Sequence, residues 1–505
     1  MHKAPEMNRI ILAMVIAMFF CTTLPAQELK TPAQANGFSK PSSYDELSAF
    51  VLQLDLKSDL LETEVIGQST EQRKLYALKF SSSGFGKDPS KIKIFIFAQQ
   101  HGNEQSGKEG ALLLASELLK PENRYLFDRI DLALIPQVNP DGSEKNQRRN
   151  GHDMDLNRNH LILTEPEARA LHRFFDKYLF EVTLDVHEYS PYGEDWEKFG
   201  YRKNADVTLG ATTNVNVWDK IRQNSNDDVV PAILKYLNDH GFSSFVYCPG
   251  GPPGIDYIRH STFDINDGRQ SLGILNSFSF IQEGMNGEDT YAENMQKRAL
   301  SQMTGMMGLL DYAYKNKNTL KDLVTAGRKQ LMNPVYGSIV SIQSDHFPDG
   351  SKLLLPLRSY FTKTDTVVEV SDYRPVVKST LDVKRPLGYL IPDSLTELIN
   401  WLDLQSISHT KFKPEGIPSV VQYSIIRLDS IDFERDMIIN PVIEPGKIVL
   451  KDASSYVFVP VDQLKGNMLI IALEPKSMLG LVTYTQYEHL LKPGLAFPVL
   501  RLEKQ

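Results

Sequence analysis

The sequence predicts an α/β protein with a mixed, mainly parallel central sheet, helices on both faces, and a smaller β-rich domain at the C-terminus. Three observations lead there. From Lys91 to about Lys317, apolar strand-like runs alternate with segments of helical periodicity, the pattern of a parallel sheet covered on both sides. From about Leu331 that alternation gives way to short β-rich runs. The chain has 505 residues, more than one ordinary domain holds, and its 41% hydrophobic and 23% charged composition is that of a globular protein with a full core. The expected division is a leader over 1–26, the α/β domain over 27–325 and the β-rich domain over 326–505.

The leader is read from Arg9, the apolar run Ile10–Phe20 and the small-residue site Leu24-Pro25-Ala26. The run is shorter than the roughly 20 residues of a membrane span. A cleaved signal peptide is therefore expected, with no transmembrane span in the mature chain and a periplasmic or extracellular destination. Cleavage removes Cys21 and leaves Cys248 alone, so no internal disulfide is expected and Cys248 reads as a buried structural thiol. The formal charge of −8 argues against a nucleic-acid partner, which needs a basic face. Oligomeric state is not legible.

Taken in order, Ser43–Glu46 opens a helix to about Leu54, and Lys74–Phe80 is a short strand. Ile92–Ala98 is a buried strand, and Lys108–Lys120 follows as a helix. Ile130–Val138 is the next apolar run. Thr164-Glu165-Pro166-Glu167 reads as a capping box opening a helix to Tyr178, with one apolar face from Ala168 to Tyr178. Val182–Val186, Ser243–Tyr247 and Leu275–Ile281 are further strands, and Tyr291–Tyr314 is a closing helix. Gly193–Val229 is polar and aperiodic and reads as a lid or specificity loop. Beyond it, Tyr336–Ile342, Lys352–Phe361, Val367–Val370, Val420–Leu428, Lys447–Leu450 and Met468–Leu473 read as β runs, interrupted by one helix, Ser394–Leu404.

The chemistry gathers at strand ends. His101 and Glu104 follow the strand that ends at Ala98, where ligands bind in open α/β sheets. Alone, such a pair is unremarkable. A second apolar strand, Leu184-Asp185-Val186, ends in His187. Two histidines and a carboxylate make the open three-ligand set of catalytic zinc, which activates a water in the remaining position. Asp185 faces the same way as His187 and would support it, whereas Glu188 points to the other face. Between these strands, Asn139–Asn159 carries Arg148, Arg149 and Arg158, guanidinium groups suited to a carboxylate or an oxyanion.

The series HGNE, NPDG, R-x-N leading into DLNRN, and DVHE, with Glu283 ending the apolar run SFSFIQEGM, resembles the zinc metallocarboxypeptidases of the carboxypeptidase A type over roughly residues 40–315. The resemblance implies that family's fold and one zinc ion on His101, Glu104 and His187. It implies that Arg148 polarises the scissile carbonyl, with Arg149 as its competitor. Asn157 and Arg158 would clamp the substrate's terminal carboxylate, and Glu283 would be the general base for the activated water. The family's substrate-binding tyrosine has no clear counterpart: Tyr257 or Arg259 would take the role, or it is absent. In the side-chain pocket Arg269 would favour acidic residues, and Asp264 or Asp267 basic ones. The expected activity is hydrolysis of the C-terminal amide bond of a peptide with a free C-terminus. The alternatives are the same chemistry on cell-wall muropeptides or N-acyl amino acids, and a catalytically silent peptide-binding relative.

Overall fold

The computed structural model describes residues 29–287, 291–413, 419–433, 436–450 and 453–504. The expected leader, 1–26, lies outside them. Among the described residues, no helix is long and apolar enough to cross a membrane.

After a short helix, Pro32–Ala35, comes the helix Tyr44–Lys57, capped as expected by a reciprocal box between Ser43 and Glu46. The strands β1 (Leu61–Gln68), β2 (Lys74–Phe80), β3 (Ile92–Ala98), β4 (Ile130–Ile135) and β5 (Val182–Tyr189) follow. Next come β6 (Tyr201–Lys203), β7 (Val207–Ala211), β8 (Ser244–Val246), β9 (Ile258–Arg259) and β10 (Phe278–Met285). Eight of them form one sheet in the order β1-β2-β4-β3-β5-β10-β7-β8. Its middle, β4-β3-β5-β10, is parallel, while β1, β2 and β7 pair antiparallel with their inner neighbours, so the sheet is mixed.

Alternation along β3 explains the layers. Ile92, Ile94, Ile96 and Ala98 point into a core with Ala111 and Leu114 of the helix Gln105–Leu118 and with Met306 and Leu310 of the helix Met295–Met332. Phe95 and Phe97 point the other way, against Leu171, Phe174 and Phe175 of the helix Pro166–Tyr178. That second core continues without a break into Trp401, Leu402 and Leu469–Leu473 of the C-terminal region.

The C-terminal region is β-rich. It holds β11 (Ile339–Phe347), β12 (Leu353–Ser359), β13 (Asp365–Val370), β14 (Tyr373–Arg374), β15 (Val376–Lys384) and β16 (Gly388–Pro392). It continues with β17 (Thr410–Lys411), β18 (Ser419–Phe433), β19 (Asp436–Ile448), β20 (Tyr456–Pro460) and β21 (Leu500–Glu503). A six-stranded sheet runs β17-β20-β16-β21-β18-β19. Two of the other strands reach back into the first half of the chain. β12 pairs with β6, placing Leu357 opposite Lys203, and β14 pairs with β9.

Three expectations are corrected. Gly193–Val229 is not an irregular loop: it contains β7, every residue of which is buried, hydrogen-bonded between β10 and β8. Met468–Leu473 is part of a helix, Gly466–Leu473, buried on all sides; a uniformly apolar run carries no period to tell helix from strand. Thr164 does not cap the helix Pro166–Tyr178, whose N-cap is Glu165 without a side-chain bond. Glu167 is drawn instead to Thr70 N at 3.0 Å, and Thr164 Oγ1 accepts from Asn159.

Candidate metal centre and cleft

Because β3 and β5 are adjacent and parallel, with Ala98 opposite Val186, their carboxyl ends deliver His101 and His187 to one sheet edge. The chain leaves β3 through Gln99, whose φ of 60° is uncommon for a non-glycine residue. The Gln99 side chain ties this turn down by donating to Gly102 O and Ser143 Oγ, each at 3.0 Å. Gly102 packs directly on the Asn139–Glu144 turn. A Cβ there would lie 2.2 Å from Gly142 C, so the HGNE loop closes only with glycine between its two polar residues.

His101 Nδ1 lies 2.7 Å from Glu104 Oε1, and His187 Nδ1 lies 2.9 Å from Glu104 Oε2. The two Nδ1 atoms are 3.1 Å apart. Each opposite ring nitrogen meets a carboxylate: His101 Nε2 faces Asp155 Oδ1 at 3.2 Å, and His187 Nε2 faces Asp185 Oδ1 at 2.9 Å. With a carboxylate facing each Nε2, which favours the proton there, both Nδ1 lone pairs are turned inward onto the Glu104 carboxylate. Such a buried cluster of electron pairs is repulsive unless a cation sits among them. The donor atoms lie within 4.8 Å of one another, and two imidazoles with one carboxylate are donors that zinc uses. The residues present therefore fit a metal. Burial would raise the Glu104 carboxyl, but His101 and His187 hold it well below the usual carboxylate range.

The supporting shell is continuous. Asp185 Oδ2 accepts from Gln100 Nε2 at 2.8 Å, and Gln100 Oε1 meets His160 Nε2 at 2.7 Å. His160 Nδ1 in turn meets His172 Nε2 at 3.0 Å. The C-terminal region grips the same segment: Trp401 Nε1 donates to Leu161 O at 2.7 Å, and Gln405 Nε2 donates to His160 O at 3.0 Å.

Arg148 reaches the centre, with Nη1 3.2 Å from His101 Nδ1, and Asp155 Oδ2 holds its Nε at 3.1 Å. Arg149 turns away to Asp153 O at 3.0 Å. Asn157 Oδ1 accepts from Gly268 N at 2.8 Å, and Arg158 Nη1 donates to Asn157 O at 2.9 Å; both side chains line the cleft. Glu283 stands on β10 in register with His187 and is 8% exposed. Burial pushes its carboxyl up to about 7, against the opposing pull of His187. Glu188 faces the other side of the sheet, as alternation predicts, and pairs with Arg298 at 2.7 Å.

Around these groups lies a cleft of about 270 Å³. Arg269 lines it, but Asp267 pairs with its guanidinium at 2.9 Å and Ser261 Oγ accepts from it at 2.6 Å. Tyr257 does not line this cleft. β9 follows it and is pinned to β14, so its ring stacks under Arg374 at 4.1 Å. Tyr247, at the end of β8, lines the cleft instead. Asp155 and Lys203 also escaped the sequence reading. Asp155 sits inside the DLNRN run and needed only to be asked what its carboxylate holds. Lys203 had no local signal, because its position depends on a strand 150 residues away in sequence. Cys248 is buried with its thiol pushed up to about 12, consistent with a structural thiol.

Residues 48–228, which carry all three donor residues, match the family described as zinc carboxypeptidase. Carboxypeptidase 2 of Trichophyton rubrum is 23% identical over 494 residues, covering 93% of this chain and 88% of that protein. Carboxypeptidase D of Homo sapiens is 27% identical over 233 residues, 40% of this chain and 17% of that protein. A solved metallo-carboxypeptidase from Pseudomonas aeruginosa, in complex with (2-guanidinoethylmercapto)succinic acid, aligns with a TM-score of 0.43 at 19% identity, over 55% of this chain and 70% of that one. The donor set stands inside the stretch that matches the zinc carboxypeptidase family, and the matches together support a zinc peptidase of the metallocarboxypeptidase type.

Proposed function

We propose that this chain removes the C-terminal residue of peptides with a free C-terminus, using one zinc ion held by His101, Glu104 and His187. The observation that carries the reading is the inward convergence of those three side chains beside a buried carboxylate, Glu283, on the next strand. When bound, zinc supplies Lewis acidity and makes water a usable nucleophile near neutral pH. Glu283 takes the proton from the attacking water and returns it to the leaving amine, work that a carboxylate with a raised pKa performs well near neutrality. Arg148, oriented by Asp155, donates to the developing oxyanion, a contact of the kind worth about 3 kcal/mol. Asn157 and Arg158 hold the terminal carboxylate and so restrict cleavage to the last bond.

The same reading takes residues 1–26 as a signal peptide that exports the chain to the periplasm or beyond the cell. Residues 27–325 are the catalytic part, and 326–505 are built onto it. The experiment is chelation followed by metal return. Release of a single C-terminal amino acid should stop on removal of metal and resume with one equivalent of zinc. Unchanged release in the chelated protein would contradict the assignment.

A further inference from the structure

The charged side chains that line the cleft can be accounted for one by one. His101, Glu104 and His187 form the metal set, and Arg148 is held by Asp155. Glu188 is paired with Arg298, and Asp267 with Arg269. Glu283 and Arg158 have the roles given above. Lys203 is left over. Its Nζ donates to Cys248 O at 2.6 Å and lies 5.5 Å from the Trp196 ring, but no carboxylate among the described residues comes within 4.0 Å of it.

A half-buried ammonium with no ion-paired carboxylate is costly to keep, and Glu283 attracts it only from beyond ion-pairing distance. Burial already lowers the Lys203 pKa to about 8. The position is nonetheless built. β12 holds the lysine's strand, with Leu357 opposite Lys203. Lys203 also borders a small, mostly apolar cavity lined by Leu355 and Pro356, which offers an ammonium no charged partner, and it lines the cleft itself. The neighbouring residue, Arg202, projects to the opposite side of β6, where it meets a carbonyl, Met285 Sδ and the Tyr192 ring.

We propose that Lys203 pairs with a carboxylate on a substrate side chain, so that the enzyme prefers peptides with an acidic residue beside the scissile bond. This rests on the peptidase reading above. It also gives the C-terminal region a task at the active site, because β12 fixes the strand that carries the selecting lysine. Arg269, already neutralised by Asp267, is not the selecting cation.

The test compares N-acylated dipeptides that differ only in glutamate, leucine or lysine, at the last and at the penultimate position. The zinc-loaded wild type should show kcat/KM about 10- to 100-fold higher for glutamate than for leucine at one of the two positions, the size expected of a charge-assisted hydrogen bond. Lys203→Met should lose that advantage while still cleaving the leucine peptide. Lys203→Arg should keep part of it, and Lys203→Glu should turn the preference towards lysine. Calorimetric binding of the same peptides to Glu283→Gln should follow the same order without turnover. An equal fall for all peptides in Lys203→Met would mean that the lysine tunes the base or the fold, and would overturn the proposal. So would a wild type that cleaves leucine peptides with no preference for glutamate. A wild type that cleaves no peptide at all would overturn the peptidase reading as well.

Discussion

Glu283 and His187 are register partners on adjacent parallel strands, so a carboxylate and a metal-type imidazole stand side by side at one sheet edge. Neither is placed by a loop. Both are carried on strands buried over all but their last residue, which is how a site is held to the tolerance that proton transfer needs. Glu283→Gln keeps the shape of the side chain and removes the base. We expect kcat to fall by about 10²- to 10⁴-fold, with zinc content and thermal midpoint unchanged. Steady-state kinetics beside metal analysis checks this, and wild-type turnover in the variant would remove Glu283 from the role.

Asp185 carries the next prediction. It sits two residues before His187, holds its Nε2 at 2.9 Å, and is itself held by Gln100. Asp185→Asn should weaken zinc binding about 10- to 100-fold, read by competition with a chelator of known affinity. An unchanged affinity would show that His187 is oriented by something else.

Acid should weaken the fold through histidines that are buried neutral. Burial lowers the His160 pKa to about 4 and that of His172 well below the usual value, and His346 falls to about 3 for the same reason. These groups bind protons in the unfolded chain before they do in the folded one. Their contribution is therefore intact above about pH 6.5 and is lost as pH falls towards 4, at up to about 1.4 kcal/mol per pH unit for each group. Thermal midpoints measured between pH 7 and 4 should fall, and His172→Gln should make the slope shallower. A flat profile in the wild type would contradict the burial of these rings.

The C-terminal region should not be separable. Trp401 is buried, shares a core with Phe95 and Phe97, and donates to Leu161 O. Trp401→Ala should cost about 3–5 kcal/mol in chemical denaturation. A chain ending at 325 stops inside the helix Met295–Met332 and exposes the phenylalanine face of the sheet, so it should be insoluble. A soluble, active 27–325 fragment would contradict this.

Much of this architecture is legible in the residues, for identifiable reasons. β3, β4, β5 and β10 are long apolar runs ending in polar residues, and the metal set falls at those ends, so strand reading and site reading support each other. Val207–Ala211 is hidden because threonine and glycine interrupt its apolar residues and it is flanked by polar segments. Tyr247 and Tyr257 cannot be ranked from sequence, since β9 pairing with β14 decides which ring faces the cleft. Lys203 is the extreme case: nothing near it in sequence tells of the strand from beyond residue 350 that positions it.

The central claim is that Asn157 and Arg158 confine zinc hydrolysis to a terminal peptide bond. The most direct measurement gives the zinc-loaded protein one peptide in two forms, with a free and with an amidated C-terminus. We expect single-residue release from the free peptide and a loss of at least about 100-fold on amidation, the size of a lost bidentate charge-assisted contact. Equal rates on both forms would contradict the claim.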